Sequence, residues 1–225
     1  MEYTIYHKLS DLTTLFAVVA GLVGLVRYRQ VAPSLRVVAL LAIFDALAEL
    51  TASLIGTFLH TPNLFMLPLV IIGEVVLATL AYGRALQSAA FNRALPWLLG
   101  LFGAYALLES LLRLSATRHL VSLEIGSNLI QLSLAGLYFQ KLLNELQVGR
   151  LRTDPFFWLS VALAVYGLGN LLISLSSNYV LTHCSIDVQR AILLGVHNVF
   201  NIQLYLAYCL ALCLRPPQVS PLEVR

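Results

Sequence analysis

Residues 37–59 read VVALLAIFDALAELTASLIGTFL, and this stretch decides the fold. A helix rises about 1.5 Å per residue, so a run of this length covers the roughly 30 Å hydrocarbon core of a bilayer. Asp45 and Glu49 are the only charged residues in this run. A carboxylate at the centre of a spanning helix costs roughly 2.5–3.5 kcal/mol on insertion scales, which is why such acids read first as working positions.

Working outward from this stretch, further apolar runs of similar length follow one another along the chain. The full set of predicted helices is at about 9–26, 37–59, 64–86, 94–112, 120–143, 156–179 and 188–214. The composition agrees: 59% of residues are hydrophobic, only 11% are charged, and the mean hydropathy is +0.83. Soluble domains carry about 25% charged residues. The expected architecture is therefore all-α: one polytopic transmembrane domain over residues 1–225, a seven-transmembrane-helix bundle. Its short connections leave no room for a soluble domain.

Basic residues set the expected orientation. With the N-terminus outside, the inner segments hold Arg27, Arg29, Arg36, Arg84, Arg93, Lys141, Arg150, Arg152, Arg215 and Arg225. The outer side then holds only Lys8, Arg113, Arg118 and Arg190. This bias matches the positive-inside rule and puts the C-terminus inside. The net charge of +3 follows from topology and gives no reason to expect nucleic acid as a partner. The first helix is expected to be retained, because its leader is poor in basic residues and no small-x-small cleavage site precedes Arg27. Cys184, Cys209 and Cys213 form no disulfide framework: Cys184 is alone on the outer side, and Cys209 and Cys213, one turn apart in the last helix, read as packing residues.

The helices after the first come in pairs that echo one another, as a 1+2+2+2 hairpin repeat would. Pro33, Pro96 and Pro155 each open a rising helix, and Glu49, Glu109 and Asn170 follow about four turns later. Leu80-Ala-Tyr82 is echoed by Leu206-Ala-Tyr208, with Tyr138 at a similar place in the fifth helix. Similarity of Leu/Ala-rich composition is the competing explanation. Asp154-Pro155 is a helix start, with Asp as N-cap and Pro at the first helical position. Trp97, Phe156, Phe157 and Trp158 fit an aromatic belt at the inner interface.

Five acids lie inside the apolar helices: Asp45, Glu49, Glu74, Glu109 and Glu124. Glu109 has Arg113 at i+4 and reads as a structural pair. Glu124 sits early in its helix and reads as solvated at the outer interface. The candidate ligand-binding residues are Asp45, Glu49, Glu74, Asn128, Asn170, His197, Asn198 and Asn201. In the expected orientation they converge in the outer half of the bundle, as a pocket open to the outside would require. A buried hydrogen-bond network that fixes helix packing is the alternative for the same residues. His7, His60, His119 and His183 read as loop and interface residues, whereas His197 lies inside an apolar helix. No cofactor is expected; a metal ion stays open, since histidine and carboxylates are common ligands.

Several families are excluded by their chemistry. Retinal proteins need a lysine in the last helix, and 188–214 holds none. A three-histidine zinc amidase is hard to assemble from His197 alone. The Pro-Gln motifs of sugar exporters are missing from the helices; Pro217-Gln218 lies in the tail. Two other sets of strings carry a resemblance: Asp154-Pro-Phe-Phe-Trp158 with Gly167-Leu-Gly-Asn170, and His197-Asn-Val-Phe-Asn201 with Leu206-Ala-Tyr208. In these the chain resembles small seven-helix membrane proteins of unassigned function found in bacteria, which are similar to the membrane modules that accompany histidine kinases. The resemblance implies a signalling role in the bacterial inner (cytoplasmic) membrane, with a partner such as a histidine kinase besides the lipid bilayer.

The leading expectation is a membrane sensor or ligand-binding protein rather than an enzyme, with no catalytic residue assigned. A proton-coupled or cation transporter is the alternative, and an intramembrane metal-dependent lipid hydrolase comes third, since hydrolase motifs are absent.

Overall fold

The computed structural model describes residues 2–59, 66–112, 121–145 and 151–214, and every regular element among them is helical. There are seven helices in these segments: α1 (Glu2–Arg27), α2 (Pro33–Leu59), α3 (Leu67–Leu86), α4 (Ala89–Leu112), α5 (Val121–Asn144), α6 (Pro155–His183) and α7 (Ile186–Cys213). The last contains a π-helical stretch, Ala191–Val196. Several helices start before or end after the predicted runs: α1 at Glu2 rather than 9, α2 at Pro33 rather than 37, α4 at Ala89 rather than 94. Hydropathy marks only the part suited to hydrocarbon, while backbone hydrogen bonding continues through the polar ends. Positions 64, 65 and 120 of the predicted helices lie outside the described residues. So do His60, Arg113, Arg118, His119, Arg150, Arg215, Pro217, Gln218 and Arg225, and the side chain of His7.

Among the described residues, α1, α2, α3, α6 and α7 are long and apolar enough to cross a membrane. By that length and hydropathy the chain is an integral membrane protein, a multi-pass helical bundle in contact with lipid. The outward surface agrees, with Leu25 64%, Leu101 70% and Leu172 66% exposed. Apolar exposure on this scale marks a surface that meets something other than water. Helices α4 and α5 are of similar length; α4 carries Arg93 and Glu109 with Pro96 inside it, and α5 carries Glu124, Asn128 and Gln131.

The helices α2, α3, α5, α6 and α7 form a closed ring, each packed on the next, with α7 returning to α2. Helix α1 covers the seam between α2 and α7. Helix α4 stands outside the ring and leans chiefly on α3. The hairpin repeat foresees equivalent places for α2, α4 and α6, so α4 is where the three pairs differ.

Small residues let α1 and α2 approach closely, the usual means of packing helices that lipid surrounds. A Cβ on Gly21 would lie 2.5 Å from the Ala46 Cβ, and one on Gly24 would lie 2.9 Å from the Ala39 carbonyl oxygen. A Gly21→Leu variant is therefore expected to lose about 1–3 kcal/mol through overpacking. A thermal unfolding midpoint equal to the parent's, measured in detergent, would contradict this.

The half of the bundle where α3 and α5 end has an aromatic core. Tyr82 lies edge-on to Tyr138 and Phe156, with centroids 6.0 and 5.7 Å away. The Tyr82 hydroxyl meets Ser160 Oγ at 2.8 Å, and the Tyr138 hydroxyl donates to Asp154 Oδ2 at 2.7 Å. The three tyrosines that the repeat aligns, Tyr82, Tyr138 and Tyr208, are all buried in this one core. Nearby, Lys141 Nζ donates to the Ala85 carbonyl at 2.7 Å, and Arg84 donates to that of Pro33 at 3.1 Å.

Candidate ligand cavity

The opposite half, where α2 and α6 end and α3, α5 and α7 begin, encloses a cavity of about 440 Å³. All five ring helices line it; among the described residues, none of α1 or α4 does. Each helix does so through one stripe at helical spacing. On α2 the stripe is Asp45, Ala48, Glu49 and Ala52; on α5 it is Val121, Glu124, Ser127 and Asn128. On α7, His197, Asn201 and Tyr205 follow at intervals of four.

Two matching contacts set the spacing of the deep polar residues. The Phe44 ring of α2 lies against Gly73 of α3, where a Cβ would be 2.2 Å from Cζ. The Phe200 ring of α7 lies against Gly169 of α6, with a Cβ position 2.2 Å from Cε2. The next residue on each helix lines the cavity: Asp45 and Glu74 at the first contact, Asn170 and Asn201 at the second. Only glycine leaves room for the ring, so these two positions hold the helix pairs at their present distance.

Most of the polar lining is tied together. Tyr205 donates to Glu49 Oε1 at 3.3 Å, and Ser174 donates to Glu124 Oε2 at 3.0 Å. His197 Nδ1 meets Asn170 Oδ1 at 2.8 Å. Tyr208 is a close neighbour of Asp45. Two buried atoms on the lining have no hydrogen-bond partner: Asp45 Oδ1 and Asn170 Nδ2. Asp45, Glu49 and Glu74 lie within electrostatic reach of one another, and among the described residues no Lys or Arg lines the cavity. A buried polar atom without a partner is costly, and three neighbouring acids with no basic counter-charge favour a positive guest.

Seven of the eight candidate residues meet here: Asp45, Glu49, Glu74, Asn128, Asn170, His197 and Asn201. Asn198 does not; it follows His197 by one residue and so points about 100° away around the helix. Glu124, expected at the outer interface, lines the cavity and takes the Ser174 hydroxyl. The i−4 spacing of Glu124 from Asn128 is the signal that places it there. The same rule reaches Ser174 from Asn170 and Tyr205 from Asn201. Glu109 takes no part in the lining; it accepts from Ser122 instead. Its expected partner, Arg113, lies outside the described residues.

The π-helical turn Ala191–Val196 directly precedes His197. Its wider winding brings the consecutive Leu193 and Leu194 onto the cavity above the His197 stripe. Such turns concentrate at functional sites. For the metal ion left open by the sequence, no group of three or more His, Cys, Asp or Glu among the described residues is arranged to hold one.

No family model, curated protein or solved structure matches this chain. The chemistry of the cavity is therefore the guide to what it binds.

Proposed function

We propose that this chain is an integral membrane sensor or ligand-binding protein. A small cationic or polar ligand enters the acidic cavity from the outer face. The observation that carries this reading is the lining itself: among the described residues, four carboxylates, one histidine and no Lys or Arg surround one space. The basic bias of the connecting segments supports an outer cavity and all seven helices crossing the membrane. Binding would change the contacts of α6 and α7 at Asn170 and His197, a two-state change read on the inner face. A separate partner such as a histidine kinase would carry the output, in keeping with the resemblance to bacterial kinase-associated modules.

The test is thermal unfolding of the detergent-purified protein with a panel of protonated amines and metal cations, across pH. A ligand that binds only the folded state stabilises it by about 2.7 kcal/mol at a hundred times its Kd. The expected result is a cation-specific rise in midpoint that Glu49→Gln, Glu74→Gln and His197→Ala abolish. No response to any cation, with the Gln variants at least as stable as the parent, would instead support a packing network.

A proton-coupled or cation transporter is the second reading, favoured by the polar line from Glu49 through Asp45 to Tyr208. The packed aromatic half beyond Tyr208 weighs against it, because a carrier needs a second state that opens there. Cation flux in proteoliposomes, lost on Glu49→Gln, would overturn the sensor reading.

A further inference from the structure

Polarity in the cavity is graded with depth, and the gradient runs the same way on every helix. Among the described residues, the lining residue nearest the open end is Ala52 on α2, Met66 at the head of α3, Val121 on α5, Leu181 on α6 and Leu193 on α7. All five are apolar. Moving inward along the same stripes, the lining turns polar: Glu49 and Asp45, Glu74, Asn128, Asn170 and Asn201. The distance is considerable. Asp45 lies seven residues below Ala52, about 10 Å along the helix, and Asn170 lies eleven residues below Leu181, about 16 Å.

A bare inorganic cation would use only the base of this space. It would leave the apolar collar without a role, and no three-ligand metal set is present among the described residues. At about 440 Å³ the cavity falls in the range of sites for organic molecules. The base also asks for a hydrogen-bond donor. Asp45 is 3% exposed and its Oδ1 is unpartnered, with Glu74 facing it across the Phe44–Gly73 contact. Asn170, 5% exposed, holds an unpartnered Nδ2, itself a donor, at the second helix contact.

We propose that the cavity binds an amphipathic organic amine, its ammonium group at Asp45 and Glu74 and its apolar body against the collar formed by Leu181, Leu193 and Leu194. This rests on the ligand-binding reading above and narrows its ligand to one class. An ammonium supplies the N–H donors and the positive charge that the two carboxylates call for. The apolar body replaces water at the collar, and each buried CH₂ adds about 0.8 kcal/mol, close to a fourfold gain in affinity.

The full-length protein in nanodiscs is titrated with 3-phenylpropylamine, 3-phenylpropanol, 3-phenylpropanoate, methylamine and calcium ion. Binding is read by calorimetry and by the unfolding midpoint. The expected order puts 3-phenylpropylamine first and the carboxylate silent. The alcohol is at least about tenfold weaker, since a hydrogen bond to a charged group is worth about that factor. Methylamine is at least about tenfold weaker because it lacks the apolar body. Asp45→Asn and Glu74→Gln should each weaken the phenylpropylamine by about tenfold or more. Leu194→Ser should weaken it by a larger factor than it weakens methylamine, which separates the collar from the base. If one Asp45 or Glu74 variant fails to fold, the other and the ligand series still decide. Binding of calcium or methylamine with no gain from the phenylpropyl group would overturn this inference and leave the ligand-binding reading standing. Equal binding of amine and alcohol would overturn it as well. Silence from every cation would remove both.

Discussion

Asp154→Ala is expected to destabilise the protein by about 2–4 kcal/mol, the sum of a lost helix cap and a lost hydrogen bond to a charged group. Asp154 holds both ends of this arrangement. Its Oδ1 accepts from the Phe156 backbone N–H at 3.0 Å, capping α6 with Pro155 at the first helical position. Its Oδ2 accepts from the Tyr138 hydroxyl at 2.7 Å and so ties the start of α6 to α5. Tyr138 is 7% exposed, so its hydroxyl finds no easy replacement in water. Tyr138→Phe removes only the second bond, and Asp154→Asn keeps an oxygen for the cap. A double-mutant cycle on unfolding midpoints in detergent separates the two contributions. Additive losses for Asp154→Ala and Tyr138→Phe would show that the hydroxyl bond adds no stability. Ligand binding should survive in these variants, because neither residue lines the cavity.

Gly169→Ala is expected to act at the cavity itself. The added Cβ would meet the Phe200 ring at 2.2–2.7 Å, so the ring must turn away or α6 and α7 must separate. Overpacking of this kind costs about 1–3 kcal/mol. Either response moves Asn170 relative to His197, whose ring nitrogen lies 2.8 Å from the Asn170 oxygen. The variant should therefore lose cation binding along with stability. Phe200→Leu in the same chain makes room for the methyl group and should restore part of both. A Gly169→Ala protein with unchanged midpoint and binding would show that the contact does not set the cavity. Gly73→Ala against Phe44 is the matching experiment at Asp45 and Glu74, with the same expected sign.

Much of the cavity is legible in the amino-acid sequence. Intramembrane acids and amides are expensive in an apolar helix, so Asp45, Glu74, Asn170 and His197 stand out from their surroundings, and each lies on the cavity wall. Glu124 is harder to place: its rank in the helix suggests the interface, whereas its side chain faces inward toward Ser174. Asn198 looks like a partner of His197 by adjacency, but one residue is a rotation of about 100° on a helix. Glu109 resembles Glu49 in its local string, yet it sits on the one helix of its kind that stands outside the ring.

By itself the sequence determined the helical class, the apolar lengths, the basic bias between connecting segments and the list of polar intruders. Those are properties of single segments, set by hydropathy and spacing along the chain. Only the tertiary structure decided which five helices close into a ring, that α4 stays outside, and that Phe44 and Phe200 seat on glycines of neighbouring helices. It also decided that the wall is apolar at the open end and acidic at depth. Helix rotation and neighbour choice depend on close steric fit between segments far apart in sequence. Without water to sort the faces, a lipid-facing stripe and a packed stripe are equally apolar, and hydropathy cannot tell them apart.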